Sequence, residues 1–155
     1  MGYSMYQVDR TFHISALAKQ NALVALFDWE DRKYHERESR GVTGYPPEKR
    51  LSLEAQIELY GWTLETDEQG NVVGIEFGGD RLCDEDEWLA AIAPFVDKGS
   101  YIEMNGEDGI YWKWYFDGKT CTTYYAQLVY PEIDALEAQE ENEERNLMSC
   151  AEQLS

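Results

Sequence analysis

The chain has 155 residues with 31 Asp and Glu against 13 Lys and Arg, a formal charge of −18, and 43% of it is hydrophobic and 14% aromatic. That is one domain's worth of sequence with enough apolar material for a core, which excludes a wholly disordered polyanion. Like-charge repulsion excludes bare nucleic acid and anionic membrane as direct ligands.

The opening MGYSMYQVDRTFH has neither a basic region nor an apolar stretch of the secretory kind. The apolar run from Ala22 to Phe27 is too short to span a bilayer. A soluble, cytoplasmic protein is the expectation. Cys83, Cys121 and Cys150 are odd in number and lack C-x-x-C spacing, so reduced thiols are expected, with neither a disulfide framework nor a zinc site.

In chain order, Tyr6, Val8, Phe12 and Ile14 share one side of a period-2 pattern with Arg10 as the odd member, which predicts an N-terminal strand. Ser15 then caps a buried helix of three to four turns through Trp29, with Leu17, Ala18, Ala22, Leu26 and Trp29 at helical spacing. Residues 30 to 50 carry Arg32, Lys33, Arg37, Arg40, Lys49 and Arg50 around GVTGYPP and read as a mobile basic loop. Ser52 caps a short amphipathic helix, LEAQIELY, with Leu53, Ile57 and Tyr60 inside and Gly61 ending it. Trp62 and Leu64, a turn at DEQGN, and Val73, Ile75 and Phe77 predict a hairpin.

Asp84 is placed to cap EDEWLAAIAPFV, whose apolar face is Trp88, Leu89, Ile92 and Phe95, with Pro94 bending its end. Three strands follow, SYIEM, IYWKWYF and TCTTYYAQLVY, joined by the hairpin turns NGEDG and DGK. Ile102, Met104, Ile110, Trp112, Trp114 and Phe116 face inward in this register, with Tyr124, Ala126 and Leu128 or their neighbours, leaving Tyr111, Lys113 and Tyr115 outward. Residues 132–155 begin after Pro131 and are rich in helix formers, predicting an acidic C-terminal helix, either projecting or in two pieces. The sum is a single α+β domain over residues 1–131, its antiparallel sheet packed with helices, followed by the acidic helix. Within it, GSYIEMNGEDGIYWKWYFDG is similar to segments of small uncharacterised acidic bacterial proteins, a resemblance of about 20 residues that implies no activity.

No catalytic motif, cofactor signature or metal-ligand spacing stands out. His13 and His35 are separated by a helix, and read as a partly buried structural residue and a solvated one. Glu103 with Asp108 and Glu76, near exposed aromatics, is the one carboxylate set that would suit a sugar-binding or hydrolase groove. Asp84 to Glu87 lack the alternating ligands and central glycine of a calcium loop. GIEFGGDR is not a phosphate-binding loop.

Charge is the informative feature. Residues 1 to 50 are nearly neutral at +1, whereas residues 51 to 155 carry −19. From Glu132 to Arg145 seven acids fall within 14 residues, about 21 Å as a helix, or about one charge per 3 Å against the roughly 3.4 Å phosphate spacing of one DNA strand. By size and charge the chain resembles the acidic antirestriction and anti-CRISPR inhibitors of phages and mobile elements. That resemblance implies a non-catalytic, DNA-mimicking inhibitor whose partner is a basic nucleic-acid enzyme. Asp84, Glu85, Asp86 and Glu87 with Glu137, Glu140, Glu141, Glu143 and Glu144 are the expected contacts. Alternatives are an immunity protein against a nuclease toxin, the carboxylate-based hydrolase or sugar-binding protein, and a homodimer in which the basic loop holds the chain's own acids.

Overall fold

The computed structural model describes residues 4–79 and 84–131, and its fold is α+β. A four-stranded antiparallel sheet has the order β1-β4-β5-β6, from β1 (Met5–Thr11), β4 (Tyr101–Gly106), β5 (Tyr111–Phe116) and β6 (Cys121–Tyr125). A separate hairpin joins β2 (Trp62–Thr66) to β3 (Val72–Phe77). Among the described residues three α-helices, α1 (Lys19–Ser39), α2 (Leu53–Glu58) and α3 (Glu85–Ile92), complete it.

The hairpin is docked on the free edge of β1. Ile14 and Val72 exchange both backbone hydrogen bonds at one end. At the other, the Gln7 side chain stands in for a strand: its Nε2 donates to the Ile75 carbonyl at 2.8 Å and its Oε1 accepts from the Phe77 N–H at 2.7 Å. An amide side chain thereby satisfies backbone groups that an unpaired strand edge would leave open.

A bulge between Gln7 and Asp9 reverses the inside–outside parity of β1. Phe12 and Ile14 are buried as the alternation predicts, but Tyr6 and Val8 are exposed and Met5 is the inward residue near the strand's start. A second bulge, between Glu65 and Thr66, places Val72 inside instead of Val73. Leu17, expected in the core, is 94% exposed in the 3-10 turn that precedes α1, where Ser15 Oγ accepts from the Ala18 N–H. Ile110 is likewise exposed, because it lies in the turn ahead of β5.

The largest correction concerns residues 30 to 39, which continue α1 to Ser39 instead of forming loop. Their Glu, Lys and Arg are good helix formers, with no glycine before Gly41. Lys33 pairs with Asp84, and Glu30 accepts from the Tyr60 hydroxyl at 2.9 Å, tying this polar extension to α2 and α3.

The core joins the helices to the inner face of the sheets through one aromatic series. Trp29 meets Tyr60, Tyr60 meets Trp88, and Trp62 touches both Trp88 and Trp114, with ring centroids 5.3–6.1 Å apart. Trp112 adjoins Trp114 at 5.9 Å. All five tryptophans of the chain thus lie in one packed network, each interface worth roughly 0.5–1.5 kcal/mol beyond its buried area. After Ile92, α3 tightens into a 3-10 turn at Ala93–Phe95, where Pro94 removes a helical donor. None of the helices among the described residues is long and apolar enough to cross a membrane.

Candidate functional site

The expected contacts divide sharply. Glu137, Glu140, Glu141, Glu143 and Glu144 lie outside the described residues. Asp84 to Glu87 are described, and three of the four hold the fold together. Asp84 adopts φ +59° and makes no side-chain cap bond; its carboxylate pairs instead with Lys33. Short polar Asp tolerates that left-handed backbone better than most residues. Glu85 is buried and accepts from Trp62 Nε1 at 3.2 Å. Asp86 Oδ1 accepts from Trp114 Nε1 at 2.6 Å and from the Thr123 hydroxyl at 3.2 Å. Glu87 is exposed.

Other acids between residues 65 and 87 are engaged in the same way. Glu65 and Glu76 flank the Arg10 guanidinium at 2.8 and 3.2 Å, beneath which Gly74 leaves the room that a Cβ, 2.6 Å from Glu65 Oε2, would take. Asp67 holds the β2–β3 turn by accepting from the N–H groups of Gln69 and Asn71. Its carboxyl is held below the ordinary range chiefly by the Asn71 side chain. Asp117 repeats the device at the β5–β6 turn, lowered first by the Thr120 N–H and then by that of Lys119. Much of the acidity in 65 to 87 is therefore structural.

The outer face of the four-stranded sheet, away from the helices, is different. Register aligns Asp9, Glu103, Lys113 and Tyr124 in one cross-strand row, and Thr11, Tyr101, Tyr115 and Thr122 in the next. Tyr111 stands opposite Asn105. Together Glu103, Tyr111, Lys113, Tyr115 and Tyr124 line an open groove of about 530 Å³ with Trp112, Tyr125 and Ala126. Lys113 Nζ does not pair with Glu103 opposite; it sits 4.5 Å over the ring of Tyr101. The Tyr101 hydroxyl in turn donates to Asp9 at 2.8 Å, which lowers the Asp9 pKa and raises that of Tyr101.

This face only partly fits the expected carboxylate set. Glu103 lines the groove, whereas Asp108 accepts from the Ile110 N–H in the β4–β5 turn and Glu76 belongs to the Arg10 cluster on the other sheet. Sequence periodicity correctly places Tyr111, Lys113 and Tyr115 outward. It leaves the faces of β6 open; in the structure Thr123 and Cys121 turn inward, and Tyr124 completes the groove. The DGK turn carries that signal, since a two-residue Gly-Lys connection pairs Phe116 with Cys121 and hence Lys113 with Tyr124.

His13 is exposed, not partly buried; its backbone carbonyl and N–H bind Asp97 and Ser100 while the ring faces solvent. His35 is solvated beside Glu38. Burial, with Asp86 and Asp117 adding to it, pushes the Cys121 thiol up to about 12, so it stays protonated and a poor nucleophile. Among the described residues no group of three or more His, Cys, Asp or Glu is placed to hold a metal ion. Comparison with protein-family models, curated proteins and solved structures gives no match.

Proposed function

We propose that the chain is a non-catalytic acidic binding protein that inhibits a cationic nucleic-acid enzyme by occupying the groove meant for nucleic acid. The observation that carries this is the run of seven acids in the 14 residues from Glu132 to Arg145, set against residues 1 to 50, which together carry only +1. Its linear charge density is close to that of one nucleic-acid strand. The engagement of Asp84, Glu85 and Asp86 inside the fold supports the tail, with Glu137, Glu140, Glu141, Glu143 and Glu144, as the mimic. Acids bound to Trp62, Trp114 and Lys33 are poorly placed to serve a second partner.

A partner held by about five such carboxylates loses affinity on the order of 100-fold for a fourfold rise in salt, by analogy with counterion release from single strands. The test is a pull-down with the purified chain from a bacterial lysate, eluted by a salt series and read by mass spectrometry. Recovery of a basic nucleic-acid enzyme in the steep part of the salt series, inhibited stoichiometrically on recombination, supports the proposal. Capture that is indifferent to salt refutes it. The same experiment separates a defence nuclease from a toxin as the partner.

A further inference from the structure

From the tyrosine face of the sheet we infer a second contact site: the groove between β4 and β6 receives an arginine side chain of the basic partner. This rests on the cationic partner proposed above and adds where, on the folded domain, that partner is held. Glu103 carries a carboxylate on the groove wall with no hydrogen bond or ion pair to any described residue, since Lys113 opposite is drawn to Tyr101. An unpaired carboxylate among aromatic rings calls for a cationic ligand rich in N–H donors.

The rings of Tyr111, Tyr115 and Tyr124 supply the remainder. A guanidinium is planar, stacks on aromatic faces and offers five donors in a fork, which a lysine ammonium does not. The Lys113 ammonium, 4.5 Å over Tyr101, shows within the molecule that a tyrosine of this face accepts a cation. Charge complementarity extends beyond the groove. Glu132, the first acid of the 132–145 run, follows the end of β6 by seven residues in sequence. A basic partner attracted by the chain's net negative charge meets the Glu103 carboxylate on the same molecule.

The experiment measures fluorescence anisotropy of a labelled Gly-Arg-Gly-Arg-Gly amide against the full chain at 0.05 and 0.15 M NaCl, with Gly-Glu-Gly-Glu-Gly and maltohexaose as competitors. Glu103→Gln should weaken binding about tenfold, the loss expected for one charge-assisted bond. Tyr124→Ser should weaken it about threefold, and Lys113→Gln should tighten it by removing the one cation lining the groove. Circular dichroism establishes that each variant is folded, as expected for side chains at the surface. Peptide binding that is unchanged by Glu103→Gln and Tyr124→Ser, but lost when Glu140, Glu141, Glu143 and Glu144 become Gln, overturns the groove and leaves the cationic partner standing. Displacement by maltohexaose, or weakening by Lys113→Gln, overturns the guanidinium assignment. No binding of the arginine peptide at either salt overturns the groove, while the lysate experiment still decides the partner.

Discussion

Asp86→Ala separates acids that fold the domain from acids that serve a partner. Asp86 accepts from Trp114 Nε1 at 2.6 Å, and Trp114 is 1% exposed, so its N–H has no ready replacement from water. A bond to a charged acceptor contributes about 1.5–3 kcal/mol, and a carboxylate in the first turn of a helix about 0.3–1 kcal/mol more. The substitution should cost about 2–4 kcal/mol. For a chain of this length each kcal/mol moves Tm by about 2–4 °C, so a fall of roughly 5–15 °C is expected in thermal unfolding followed by circular dichroism. Asp86→Asn keeps an acceptor oxygen and should lose about half as much. Glu87→Ala, one residue along and exposed, should stay within about 1 kcal/mol of the parent. If Asp86→Ala melts with Glu87→Ala and instead weakens partner binding, the four-acid cluster is a contact surface and its structural assignment fails.

Two further outcomes follow from the site geometry. Asp67 and Asp117 are stronger acids folded than unfolded, so the stability they confer is complete above the unfolded-state value near 4 and is lost as pH falls through the lowered folded values. The difference in urea midpoint between the parent and the Asp67→Asn/Asp117→Asn variant should therefore be constant from pH 7 to about 5 and shrink below about 4; a difference that widens in acid contradicts it. Gly74→Ala places a Cβ 2.6 Å from Glu65 Oε2 and 3.0 Å from Arg10 Cζ, forcing the ion pair apart. Because the pair is partly exposed, the loss should stay under about 1 kcal/mol and fade in 1 M NaCl, whereas a salt-independent loss of several kcal/mol would assign the cost to the backbone.

The legible parts of this sequence are those set by local chemistry. Gly at the turn positions and alternating aromatics located the β4–β6 meander and the outward Tyr111, Lys113 and Tyr115, and Ser52 with Gly61 bounded α2. What failed depends on distant groups. The bulge in β1 is fixed by pairing with β4 and reverses Tyr6 and Val8. Residues 30 to 39 look solvated because their charges find Asp84 and Tyr60 only in three dimensions. Gln7 carries no core signature, yet it joins two sheets. Acid density alone does not distinguish Asp86, bound to a tryptophan, from Glu87, bound to nothing comparable. Glu103 is legible in the sequence beside aromatic residues, but its companions in the groove come from register across three strands and not from neighbours in sequence.

The most direct test of the central proposal is displacement of a labelled DNA duplex from the captured enzyme by the full chain and by a variant ending at residue 136. Displacement at one chain per site, absent for the shortened variant though its melting temperature is nearly unchanged, is the predicted result. A ternary complex in which enzyme, DNA and chain remain bound together would contradict it.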